Sequence, residues 1–72
     1  MDAVALEQVL AHDDNVKSVA YNETSGSLVV IFGGGSKWVY RKVSQEMLDK
    51  LTSGLSVLEL VRHNNIVGVR IR

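Results

Sequence analysis

Seventy-two residues, with eight Lys and Arg balanced by eight Asp and Glu, hold one domain and leave no room for a second core. The lack of cysteine excludes a disulfide framework and a thiolate metal site, and every apolar run falls far short of the ~20 residues of a membrane span. With no charged-then-apolar leader, the chain reads as soluble and intracellular, with the modest stability of a domain that buries roughly 60% of its unfolded surface.

Residues 3–12 place Val4, Leu6, Val9 and Leu10 near helical spacing behind Asp2, a candidate N-cap, and predict a surface helix ended by Asp13-Asp14-Asn15. From Val16 to Tyr21, Val19 and Tyr21 alternate with Ser18 and Ala20, which predicts a strand. Residues 22–27 are a turn by composition, with Gly26 as the residue at positive φ. The run Leu28-Val29-Val30-Ile31-Phe32 predicts a second strand, covered on both faces because no polar residue interrupts it. Gly33-Gly34-Gly35 make the next connection, and a third strand runs from about Lys37 to Val43.

Two helix starts follow. Ser44 is placed to cap a helix with Met47, Leu48 and Leu51 on its apolar face, with Val43 and Leu48 as a hydrophobic staple and Gly54 as the C′ residue. Ser56-Val57-Leu58-Glu59 is a capping-box pattern for a second helix that buries Val57, Leu60 and Val61 and ends near Asn64-Asn65. Residues 66–71 alternate, with Val67, Val69 and Ile71 on one face, and predict a last strand. The expected fold is α+β: an N-terminal helix, a three-stranded antiparallel meander, two short helices and a C-terminal strand joining the sheet.

This pattern resembles the KTSC domain, a small domain found at the C-terminus of some lysyl-tRNA synthetases and as a free-standing protein of bacteria and their phages. The residues that carry the resemblance are Asn15-Val16, Ser18-Val19-Ala20-Tyr21, Leu28, Val30, Phe32, Gly34-Gly35, Tyr40, Val43 and Asn64-Asn65-Ile66-Val67-Gly68. It covers residues 15–71 and leaves residues 1–14, the expected helix, as an addition. The chain departs from the family's usual pattern at Ser44, where proline is usual, and at Val67, where arginine is usual. The resemblance implies a bacterial or phage source, hence a cytoplasmic setting, and contact with RNA or protein more than catalysis.

Charge is uneven along the chain. Residues 1–27 carry Asp2, Glu7, Asp13, Asp14 and Glu23 against Lys17, whereas residues 28–72 carry Lys37, Arg41, Lys42, Lys50, Arg62, Arg70 and Arg72 against Glu46, Asp49 and Glu59. The halves are suited either to pair with each other or to leave a local basic face. Zero net charge weakens the case for nonspecific nucleic-acid binding.

No motif points to a reaction. Gly33-Gly34-Gly35-Ser36-Lys37 lacks the spacing of a phosphate loop and does not lead into a helix. His12 and His63 have no cluster of ligands around them in sequence, Asp13-Asp14-Asn15 reads as a solvated turn, and Ser44 and Ser56 are occupied as caps. No catalytic residue, metal or cofactor is expected, nor a small-molecule substrate or a membrane.

The third strand offers the best surface. If Val39 and Val43 face the core, then Trp38, Tyr40 and Lys42 look outward as a partner-binding patch; in the other arrangement Trp38 and Tyr40 build the core beneath the helices. The first expectation is therefore a non-catalytic module that binds a protein, or a second copy of itself, through a sheet face or open edge. The alternative is RNA binding through Lys37, Arg41, Lys42, Arg62, Arg70 and Arg72 beside an aromatic stack.

Overall fold

The computed structural model describes residues 3–71, and among these the chain forms five strands and three helices. Strand β1 is Ala3–Ala5, followed by α1 (Glu7–Leu10), β2 (Val16–Asn22), β3 (Ser27–Phe32), β4 (Lys37–Tyr40), α2 (Gln45–Thr52), α3 (Val57–Asn64) and β5 (Gly68–Arg70). The strands lie side by side in chain order, each antiparallel to the next. The α+β class and the antiparallel meander agree with the sequence reading, as does a last strand joining the sheet beyond the two helices, beside β4.

The amino terminus is a correction. Ala3, Val4 and Ala5 do not begin a helix; they pair with Asn22, Tyr21 and Ala20 of β2 and extend the sheet. Leu6 continues the ladder by donating its N–H to the Val19 carbonyl at 2.9 Å, so only one helical turn remains. Alanine favours a helix by under about 1 kcal/mol per residue, and a free strand edge outweighs that preference. Asp2, the expected cap, lies outside the described residues.

The other helix starts form as their spacing predicts. Ser44 Oγ accepts from the Met47 N–H and Ser56 Oγ from the Glu59 N–H, each satisfying a donor that the first turn leaves unpaired. Gly54 follows α2 at φ +126°, where a side chain would be strained.

A second contact caps α3 from a distance. Asp13 is 4% exposed, and its Oδ2 accepts from the Val57 N–H at 3.0 Å while Oδ1 accepts from the Asn15 N–H at 3.2 Å. The solvated turn expected at Asp13-Asp14-Asn15 is corrected at Asp13, whose carboxylate ties the α1–β2 connection to the start of α3.

The helices cover one face of the sheet. Val19, Tyr21, Leu28, Val30 and Tyr40 share a face by the two-residue period and pack with Val9, Leu48, Leu51, Val57 and Leu60 into one core. A bulge between Val16 and Ser18 takes up an extra residue, so Val16 joins that core three positions before Val19. The Tyr21 hydroxyl donates to the Val43 carbonyl at 2.8 Å, and the Val43 N–H donates to the Gly26 carbonyl at 2.9 Å. Together these bonds pin the chain entering α2 to the β2–β3 turn.

Candidate interaction surface

The face turned away from the helices is aliphatic across all five strands. Ala5 opposes Ala20, Ala20 opposes Val29, Val29 opposes Val39 and Val39 opposes Val69, so one apolar row crosses the whole sheet. Beside it, Ser18, Ile31 and Lys37 form a second row, which Ile71 extends by donating its N–H to the Lys37 carbonyl at 2.8 Å. Val69 is 47% exposed, Ile71 53% and Val67 70%; Ala20, Val29, Ile31 and Val39 are partly exposed, and none of these belongs to the core cluster. The uninterrupted run in β3 predicted cover on both faces, yet only the Leu28 and Val30 side is covered. Among the described residues no helix lies over the other side.

Of the two arrangements left open for the third strand, the structure has the one in which Trp38 and Tyr40 build the core beneath the helices. Both face the helix side: Tyr40 is 5% exposed, and Trp38 is half-buried against the same core. Their rings stack with centroids 6.2 Å apart and planes 9° from parallel. Burial pushes the Tyr40 phenol above its usual pKa. Opposite Tyr40 stands Gly68, where a Cβ would come within 2.6 Å of Tyr40 Cδ1, so a bare backbone is what lets the ring lie across β5.

The arrangement has a local cause. Strand β4 ends at Tyr40, and Lys42 adopts the left-handed conformation at φ +58°, which breaks the two-residue period before Val43. Tyr40 and Val43 therefore both turn inward, and Val39, expected to share a face with Val43, lies on the opposite side with Lys37. Lys42 itself is exposed.

Among the described residues, the cations expected to contact RNA are spread over several surfaces. Lys37 lies on the aliphatic face, and Arg41 follows the same period one residue beyond β4. Arg62 lies on α3, Arg70 opposes Trp38 on the helix side, and Arg72 is outside the described residues. Arg41 and Lys42 line one cleft of about 390 Å³ with Met47, Asn64, Asn65, Ile66 and Val67. A larger hollow of about 680 Å³ lies between α2 and α3, where Glu46, Asp49 and Glu59 surround Lys50 and His63.

His12 reaches across to the Leu55 carbonyl, with Nε2 at 3.2 Å, which gives it a structural contact. Among the described residues no three His, Cys, Asp or Glu side chains stand where they could hold a metal ion, and no helix is long and apolar enough to cross a membrane. Comparison with known protein families, and with curated proteins, finds no match.

The bare face left a trace in sequence. Val67, Val69 and Ile71 alternate, and Ala20, Val29 and Val39 occupy the complementary parity of their strands. The missing information was register, which aligns these positions into one row.

Proposed function

We propose that this chain is a non-catalytic interaction module that binds a protein partner through the helix-free face of its sheet. The observation that supports this is the aliphatic row Ala5, Ala20, Val29, Val39 and Val69, flanked by Ile31 and Ile71, which keeps part of its surface in water while the opposite face is packed. Contiguous apolar surface of this kind is a cost for an isolated domain and a gain once covered. The reading moves the proposed contact away from Trp38 and Tyr40, and from Lys42, which lines the cleft with Met47 and Asn64. The proposed resemblance to the KTSC domain fits a module of this kind, and a cytoplasmic bacterial or phage setting belongs to the same proposal.

The test uses Val39→Lys with Val69→Lys as one variant and Trp38→Ala as another, each checked for folding by circular dichroism. Proteins captured by the wild-type chain from its own cells should be lost with the lysine variant and kept with Trp38→Ala. Undiminished capture by a folded lysine variant removes the face from the reading.

RNA binding stands as the second reading on one observation, the meeting of Arg41 and Lys42 with two carboxamides at the smaller cleft. Its signature is a steep loss of oligonucleotide affinity between low and moderate salt. No binding at low salt ends it.

A further inference from the structure

The bare face has a charge as well as an apolar character. Lys37 stands in its second row, and Arg41 continues the period of Lys37 and Val39 at its edge. The other residues in strand register on this face are small, polar or aliphatic, among them Ala20, Val29, Ile31, Val39 and Val69, and none of those in register is an acid; Lys17, the extra residue of the β2 bulge, is exposed beside them. The acidic side chains Glu46, Asp49 and Glu59 lie on the helix side.

Five strands at about 4.8 Å spacing, with about four residues each in the patch, give a face of roughly 300 Å² in plan. A second copy stacked on it through the same face would bring no acid in register to meet Lys37 and Arg41. Nucleic acid is disfavoured because the face has aliphatic side chains where base stacking needs rings; Trp38 and Tyr40 lie on the other side. A single helix is about 10–12 Å wide, and about 14 residues at 1.5 Å each would cross the sheet. Such a helix would complete a layered arrangement with helices on both faces.

We infer that the occupant of this face is an amphipathic helix of a partner protein, its apolar stripe laid over Val29, Val39 and Val69 and bordered by Asp or Glu that meets Lys37 and Arg41. This rests on the reading of the bare face as the interaction surface and adds the chemistry of what covers it.

The experiment titrates the isotopically labelled full chain with a synthetic helix-forming peptide that carries a leucine stripe bordered by glutamate. Two matched peptides carry glutamine or lysine in place of every glutamate. The glutamate peptide should shift the amide signals of Ala20, Val29, Val39 and Val69, and bind about tenfold or more tightly than the glutamine peptide at low salt. Lys37→Glu with Arg41→Glu, folded by the same spectra, should reverse the preference toward the lysine peptide.

Equal binding of the three peptides on this face overturns the acidic chemistry and leaves the face reading standing. Shifts confined to the α2–α3 hollow overturn both. The inference also fails if no peptide binds, if the free chain dimerises through these residues in ultracentrifugation, or if oligouridylate shifts the same amides more strongly. The capture experiment with Val39→Lys and Val69→Lys then tells whether the face itself survives.

Discussion

Within β3, Leu28 and Val30 are fully buried while Val29 and Ile31, one position away, keep part of their surface in water. Both faces of the sheet carry aliphatic side chains, and they differ in what covers them. On one side α1, α2 and α3 supply Val9, Leu48, Leu51, Val57 and Leu60, and the rings of Trp38 and Tyr40 fill the space toward β5. On the other side the row from Ala5 to Val69 has no partner among the described residues. Composition alone therefore does not tell core from interface in a small sheet; the side on which the helices return decides it.

Truncation should separate the two faces most sharply. Leu60→Ala opens a cavity beneath the helices and is expected to cost about 2–5 kcal/mol, most of what so short a chain has in reserve. Val39→Ala, on the bare face, should cost about 1 kcal/mol or less. Urea denaturation of both variants measures the difference, and equal losses would mean that the bare face is packed in solution.

A smaller effect is expected at the contact that ties the helices down. Asp13→Ala leaves the Val57 N–H without its acceptor and should cost about 1–3 kcal/mol. Asp13→Asn keeps one carbonyl oxygen and should lose less. If both variants match the wild type in urea midpoint, Asp13 does not cap α3 in solution.

The smallest effect depends on pH. The folded chain holds the Tyr40 phenolic proton more tightly than the usual value of about 10 because the group is buried. Above that pH the unfolded chain binds fewer protons than the folded one at this residue, so its contribution to stability falls as pH rises through the folded pKa. Tyr40→Phe should flatten that part of the alkaline decline, measured as unfolding free energy against pH. An unchanged decline would place the ring in water.

The parts of the fold legible in sequence were those set by neighbours a few residues apart. Ser44 and Ser56 cap their helices through N–H groups three positions on, and Gly54 follows its helix in the left-handed region, all from local spacing. What escaped depends on distant partners or on one backbone angle. Ala3-Val4-Ala5 became a strand because β2 offered an edge, and Asp13 reaches a helix that starts 44 residues later in the chain. Which side of β4 carries the rings was left open by the sequence, because the left-handed residue at Lys42, which brings both Tyr40 and Val43 inward, has no signature in the alternation.

The most direct measurement is the attenuation of methyl signals by a soluble gadolinium chelate added to the full chain. The methyls of Val29, Val39 and Val69 should broaden strongly, while those of Leu28 and Val30, on the same sheet, should stay sharp. Equal protection of both sets would show the second face to be covered, and the interaction surface would have to be sought elsewhere.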